Sequence, residues 1–269
     1  MKAGALRRVR WRLATFVPGA LGERLDEWLE VRDCRRLLEA ARADPGASSL
    51  PAAGSDPLVS VCIPTFVRDR ELLLRAVRAA LAQTHPRIEV IVVSDDDDGA
   101  LDSVADELDD PRVRAVSIAP FPSIRAPRGI YGRHPSGCVK RNVALALARG
   151  EWIAPSDDDD VMEPDHVESL LRAARDQGVE LVYSQARVER APGSWQVIGR
   201  RPLARGGIVQ GTALYSAMLR FVPYRPTCWK VREWDDWNLF RRMQRIGVRI
   251  GFLEQVTYTH HLEAPQRDV

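Results

Sequence analysis

The chain has 269 residues, 45% apolar and 28% charged, an ordinary globular composition at a length that can bury a sizeable core. Lys and Arg number 39 against 37 Asp and Glu, a formal net charge of +2, so no global field points to nucleic acid as a partner. Cys34, Cys62, Cys138 and Cys228 are widely spaced and form no CxxC pair, which reads as free thiols in a reducing cytoplasm and not as a disulfide frame or zinc site.

Residues 1–12 carry Lys2, Arg7, Arg8, Arg10 and Arg12 and no acid. Pro18 breaks the apolar stretch that follows and no small-x-small cleavage site appears, so secretion is not expected. No apolar run reaches transmembrane length, and the expectation is a soluble, cytoplasmic protein. Two readings of the basic segment stand side by side. Residues 1–20, with Trp11 and Phe16, dock peripherally on an anionic membrane surface or a partner, or they form a helix packed on the rest of the chain.

Residues 22–43 predict a charged helix with Leu25, Trp28 and Leu29 on one face and Leu37, Leu38 and Ala41 continuing the stripe. Asp44-Pro45-Gly46 stops it, and the Pro/Gly/Ser-rich stretch Ala47 to Pro57 reads as a linker. The expected division is an extension over 1–46, a linker over 47–57 and a domain over 58–265.

From Leu58 the pattern alternates between strand and helix. LVSVCIP predicts a strand, RELLLRAVRAALAQ a helix, and IEVIVVS a strand buried on both faces. SVADELDD follows as helix, VRAVSIA as strand, GCVKRNVALALARG as helix, EWIAPS as strand, PDHVESLLRAARDQG as helix and VELVYSQARVE as strand. That alternation predicts an open, mainly parallel α/β sheet flanked by helices. Further on, SWQVIGRRPLARGGIVQG suggests a hairpin with a Gly-rich turn, TALYSAMLRF and WDDWNLFRRMQRIG helices, and RIGFLEQVTYTHH a terminal strand.

Ligands of such sheets sit beyond the carboxyl ends of the strands. The string SDDDD falls there twice, at Ser94 to Asp98 and at Ser156 to Asp160. Carboxylates two apart at a strand end, such as Asp157 and Asp159, suit a hard divalent cation, while a capping cluster before Pro164 is the plain alternative. An EF-hand reading of the first string fails, because Gly99 and Ala100 fall where a carboxylate and the obligatory Gly are needed.

Lys140 and Arg141 are predicted in the first turn of their helix, where cations oppose the dipole unless a diphosphate or another anion lies in front; solvated side chains are the alternative. Asp235 and Asp236 open another helix, either as capping acids or as a general base between Trp234 and Trp237 as a sugar platform. His260 and His261 end the last strand as surface groups or as ligands for a metal or phosphate.

Together, SVCIPTFVRDRELLLRAVRAALAQTHPRIEVIVVSDDDDG, GCVKRNVALALARGEWIAPSDDDDVMEPDHV and WDDWNLFRR resemble three ordered blocks of glycosyltransferase family 2, the inverting GT-A enzymes, over roughly residues 58–262. The resemblance implies a GT-A, Rossmann-like fold and transfer of a sugar from a nucleotide diphosphate sugar to a hydroxyl acceptor, whether glycan, lipid-linked or small-molecule. It implies a UDP-sugar donor first, with GDP- or dTDP-sugars as alternatives, and Mn²⁺ or Mg²⁺ as cofactor. Pro64, Thr65, Phe66 and Arg68 would line the nucleotide pocket, with Asp95 and Asp96 at the base or ribose. Lys140, Arg141, Asn142 and Asp158 would help hold the donor. Asp157, Asp159 and His260 would serve the metal. Asp236 would be the catalytic base, with Asp235 in place of the usual Glu. Lys140 stands where a small residue is common, Ser94 replaces an acid, and the segment before Trp234 lacks a frequent Gly-Gly-Phe stretch. A sugar-nucleotide pyrophosphorylase would want a Gly-rich basic loop where this chain has PTFVRDREL; a non-catalytic nucleotide-sugar-binding protein of the same fold is the other rival.

Overall fold

A computed structural model describes residues 20–44, 50, 54–66, 69–95, 99–120 and 134–262, with side chains of 134–136 excepted. Its first element is α1 (Ala20–Ala43), followed by β1 (Val59–Thr65), α2 (Arg70–Leu81), β2 (Ile88–Ser94), α3 (Ala100–Leu108), β3 (Val113–Ser117), α4 (His134–Leu147) and β4 (Trp152–Pro155). Then come β5 (Val161–Met162), α5 (His166–Gln177), β6 (Leu181–Ala191), β7 (Ser194–Ile198), β8 (Ala213–Ser216), α6 (Asp235–Ile246) and β9 (Ile250–His260).

Every residue of β1 and β2 is buried. Their continuous apolar runs are what a parallel strand covered on both faces requires. β1 pairs in parallel with β2 and β4, and β2 with β3, so Thr65, Ser94 and Pro155 end three strands at one edge. The remaining sheet is mixed. Its order is β3-β2-β1-β4-β8-β6-β9-β5, with β8 antiparallel to both neighbours, β6 parallel to β9, and β7 paired to β6.

Strand periodicity divides the core into two layers. Val59, Val61, Ile63, Val90 and Val92 pack with Leu73, Leu74 and Val77 of α2, Val104 of α3 and Leu170 of α5. On the other face Cys62, Ile91 and Val93 meet Leu38 of α1, Leu145 of α4 and Phe240 and Met243 of α6. α5 and α6 end in left-handed glycines, Gly178 and Gly247, which accommodate that backbone without a Cβ clash.

Several local expectations are corrected. The β6–β7 hairpin turns at Pro192-Gly193, and residues 199–209 run outside regular structure apart from turns, so the glycines near 206 do not make the hairpin. TALYSAMLRF is not one helix: Ala213–Ser216 forms a strand and Ala217–Phe221 a 3-10 turn. The buried location of Leu214 and Tyr215 between β4 and β6 overrides local propensity.

The expected apolar stripe of α1 is only partly inward: Leu38 is buried, while Leu25, Trp28 and Leu37 are exposed. Leu21, Leu25 and Trp28 are exposed, and Glu23, Glu27, Cys34 and Leu38 are buried. The buried acids are satisfied by arginines from the far end of the chain. Glu23 accepts from Arg225 at 2.8 Å, Glu27 from Arg241 at 2.5 Å and Glu30 from Arg242 at 2.7 Å.

Candidate active site

The edge where β1, β2 and β4 end collects the acids that the sequence places there. Thr65, the last residue of β1, donates from Oγ1 to Asp158 at 2.5 Å and accepts at its carbonyl from Lys140 Nζ at 2.8 Å. The same Nζ donates to Asp95 Oδ1 at 2.6 Å and lies 2.9 Å from the centroid of the Phe66 ring. Lys140 therefore fastens the ends of β1 and β2 together, with Pro64 buried in the strand behind. Arg68 and Asp96 lie outside the described residues.

The placement of Lys140 and Arg141 in a first helical turn is corrected. α4 already begins at His134, so both cations sit in mid-helix and the dipole argument does not apply to them. The Lys140 side chain is fully buried and its ammonium contacts the Asp95 carboxylate and the Thr65 carbonyl. Burying that charge is tolerable because Asp95 and a carbonyl compensate for the lost water.

Arg141 joins two segments of the site. One guanidinium nitrogen donates to Asp235 at 2.6 Å, another to Asp157 at 2.7 Å, and the group lies 5.7 Å from the Tyr224 ring. Asn142 exchanges two hydrogen bonds with the backbone of Tyr224, at 2.9 and 2.8 Å. Its amide positions that loop.

Consecutive acids after β4 have separate surroundings. Asp157 meets Arg141, Asp158 meets Thr65, and Asp160 has both oxygens 2.9 Å from His260 Nδ1. Asp159 is half-buried, and its carbonyl accepts from Arg75 at 2.5 Å. Burial, and then the charges of Asp160, Asp157 and Asp158, push its carboxyl up to about 8. Burial alone would lower His260, but the hydrogen bond and charge of Asp160 outweigh it and raise the imidazole to about 9. His261 points elsewhere, with its ring 5.5 Å from Trp195 in an edge-on arrangement and Nδ1 4.0 Å from Glu189.

Trp234 caps α6, and Asp235 and Asp236 form its first turn, where acids favour the helix dipole. Asp235 is buried against Arg141 and accepts from the Asp236 amide at 3.0 Å. Asp236 Oδ1 accepts from the Trp237 amide at 2.5 Å. Burial, then the charge of Asp235, push the Asp236 carboxyl up to about 7, the range a general base needs at neutral pH. The expected pair of tryptophans is reduced to one exposed ring, because Trp237 packs against the core while Trp234 remains 38% exposed.

Two tyrosines complete the arrangement without having been singled out for it. Tyr258, fully buried, places its hydroxyl 3.0 Å from Ser156 Oγ and 3.3 Å from the Asp157 amide, which donates to it. Tyr224 is gripped by Asn142 and lies under Arg141. The Tyr-x-His spelling at Tyr258 was the available signal for the first; Tyr224 had none.

The donor set is chemically suited to a hard cation, since Asp157 and Asp159 offer carboxylate oxygens and the excess negative charge around Asp159 would be relieved by one. It is not a closed cage: among the described residues no three His, Cys, Asp or Glu side chains converge as a ready metal site. His260 directs Nδ1 to Asp160, the arrangement that in metal sites orients a histidine for ligation through its other nitrogen.

The family model described as Glycosyl transferase family 2 matches residues 60–230. Among curated proteins, the succinoglycan biosynthesis protein ExoO of Rhizobium meliloti (strain 1021) is 29% identical over 156 residues, covering 58% of this chain and 41% of ExoO. The putative colanic acid biosynthesis glycosyl transferase WcaA of Escherichia coli (strain K12) is 29% identical over 119 residues, 44% of this chain and 38% of WcaA. The chain thus spans well under half the length of these relatives. Among solved structures, S. aureus TarS 1-349 in complex with UDP-GlcNAc superposes with a TM-score of 0.59 at 16% identity, covering 77% of this chain and 59% of TarS 1-349. The mannosyltransferase PcManGT from Pyrobaculum calidifontis, in complex with GDP-Man and Mn2+, gives 0.53 at 18% identity, covering 90% of this chain and 67% of PcManGT. At these identities the likeness is one of fold.

Proposed function

Because the chain belongs to glycosyl transferase family 2, we propose that it transfers a sugar from a nucleotide diphosphate sugar to a hydroxyl acceptor with inversion at the anomeric carbon. One observation carries the proposal. Arg141 holds Asp157, at the strand-end acidic run, and Asp235, beside Asp236, in a single bridge, which supports assigning diphosphate-side and acceptor-side chemistry to one site. The transferase unit is residues 58–265, with 1–46 and the linker 47–57 as an appendage.

In this reading the nucleoside lies over Pro64, Thr65 and Phe66, with Asp95 at its base or ribose. Asp157 and Asp159 would hold Mn²⁺ or Mg²⁺, with His260 behind them. When bound, that ion supplies Lewis-acid stabilisation of the diphosphate leaving group. Asp236 accepts the proton of the acceptor hydroxyl as its oxygen bonds to the anomeric carbon. The bond from that carbon to the β-phosphate oxygen breaks on the opposite face, and its electron pair leaves with the diphosphate. A single carboxylate suffices because one displacement needs one base. Trp234, exposed at the start of α6, offers an apolar platform for the acceptor.

TarS was solved with UDP-GlcNAc and PcManGT with GDP-Man, which supports a nucleotide-sugar donor and leaves UDP- and GDP-sugars as the first two to try. The test is a nucleotide-sugar panel read by thermal shift and by release of nucleoside diphosphate, with and without Mn²⁺. Stabilisation and metal-dependent release with at least one donor is the expected result. Tight donor binding with no turnover on any acceptor pool would favour a non-catalytic binding protein. Consumption of a nucleoside triphosphate would favour a pyrophosphorylase.

A further inference from the structure

α1 buries two acids along with Cys34 and Leu38, and leaves Leu21, Leu25 and Trp28 outward. Glu23 and Glu27 are buried, and their ion pairs with Arg225 and Arg241, together with that of Glu30 with Arg242, fix the helix on α6 and the preceding loop. Further along, Arg42 donates to Glu180 at 2.7 and 2.8 Å. These ion pairs, together with the packing of Cys34 and Leu38 into the core, set the rotation of α1 about its axis.

That rotation leaves Leu21, Leu25 and Trp28 outward at helical spacing, exposed by 70%, 39% and 60%. Beside them runs a groove of about 710 Å³ between α1 and α6. Its walls hold Arg24, Arg32 and Arg35 from α1 and Arg241 and Arg245 from α6, against Glu27 and Glu233. Arg241 and Arg245 are paired with Glu27 and Arg241 also with Glu233, so the excess of guanidinium along the apolar stripe is carried mainly by Arg24, Arg32 and Arg35 of α1. Arg32 also stands 5.9 Å from the Trp28 ring. Asp33 pairs with Arg32 at 3.2 Å and offsets part of that charge.

We propose that this face of α1, Leu21, Leu25 and Trp28 with the arginine-lined groove beside them, docks on the surface of an anionic lipid bilayer. Leucine and tryptophan beside arginine are the chemistry of a helix lying in the membrane interface, with apolar side chains in the acyl boundary and guanidinium groups at lipid phosphates. The sequence leading into α1 adds to the same charge, since residues 1–19 contain five Lys and Arg and no acid. A second protein is the weaker match. Three exposed apolar side chains offer a few hundred Å² at most, below the roughly 800 Å² per partner of a stable protein interface. Among the described residues no helix is long and apolar enough to cross a bilayer. This inference stands apart from the transferase reading.

The experiment is co-sedimentation of the full chain with large vesicles of phosphatidylcholine alone or mixed with phosphatidylglycerol, at low and high salt. The wild type is expected to partition onto the anionic vesicles only, with binding that weakens as salt rises. The double variant Leu25→Glu, Trp28→Glu is expected to lose at least about tenfold in partitioning. Both sites are outward on a helix and glutamate is a good helix former, so the thermal unfolding midpoint should be kept. Undiminished binding by the double variant overturns the proposal, including the case where only deletion of residues 1–19 abolishes it. Equal binding to neutral vesicles overturns it too. So does a dimer in light scattering that the double variant dissociates, with no vesicle binding by either protein.

Discussion

Arg141 and Asp235 form a 2.6 Å hydrogen bond between residues 94 apart in sequence, with both side chains largely buried. The second arm of Arg141 reaches Asp157 at 2.7 Å, so one guanidinium fixes where α6 begins relative to the end of β4. Replacing it with alanine leaves two carboxylates facing each other in a poorly solvated place. Arg141→Ala is expected to cost about 3 kcal/mol, the scale for breaking a buried pair, seen as a lowered urea midpoint. A midpoint within error of wild type would show that the bridge carries no such weight.

Asp236 should give the pH profile its acidic limb. Its carboxyl is raised by burial first and by Asp235 second, to about 7. A base works only when unprotonated, so kcat/KM should rise as pH climbs through about 7 and fall roughly tenfold per unit below it. Removing the neighbouring like charge lowers the Asp236 pKa, so Asp235→Asn should move the limb to lower pH in whatever activity remains. A limb that stays in place assigns the titration to another group.

Tyr258 can be tested through the residue it leans on. Gly211 packs so closely that a Cβ there would overlap the Tyr258 ring. Gly211→Ala should destabilise the fold by about 1–3 kcal/mol through overpacking. It should also weaken donor binding, because the Tyr258 hydroxyl contacts Ser156 and the Asp157 amide. Calorimetry with the best donor reads the second effect, and unchanged affinity with a lowered melting temperature would confine Tyr258 to structure.

Lys140→Met removes a buried cation that Asp95 and the Thr65 carbonyl share. Losing the Lys140 charge beside the Asp95 carboxylate should cost about 3 kcal/mol and loosen the ends of β1 and β2, lowering donor affinity more than turnover of bound donor. A fall in kcat with an unchanged donor KM would instead place Lys140 at the chemistry.

The parallel half of the sheet was legible because Val and Ile runs such as IEVIVV need no distant partner to declare themselves. The shared edge of the acidic strings followed from topology. The face of α1 was not legible, since Glu23, Glu27 and Glu30 are inward only because Arg225, Arg241 and Arg242, over 200 residues away, neutralise them. Hydrophobic periodicity alone places Leu25 and Trp28 inside, and here charge pairing decides otherwise. The start of α4 was hidden by Pro135 and Gly137, which read as a boundary; Pro is compatible with the first turn of a helix, and the helix runs through Gly137. Strand β8 was missed because ALYS has no run length of its own and depends on β4 and β6 for its pairing.

We propose Asp236 as the base of a sugar transfer whose donor is held by the acidic run at Asp157 to Asp160. It is tested most directly by measuring donor affinity and transfer side by side for wild type and Asp236→Asn, with Mn²⁺ and the donor that the panel selects. Donor affinity is expected to stay within about twofold of wild type and turnover to fall by about 10²–10⁴, the contribution of a positioned base. An Asp236→Asn variant that transfers sugar at the wild-type rate would contradict it.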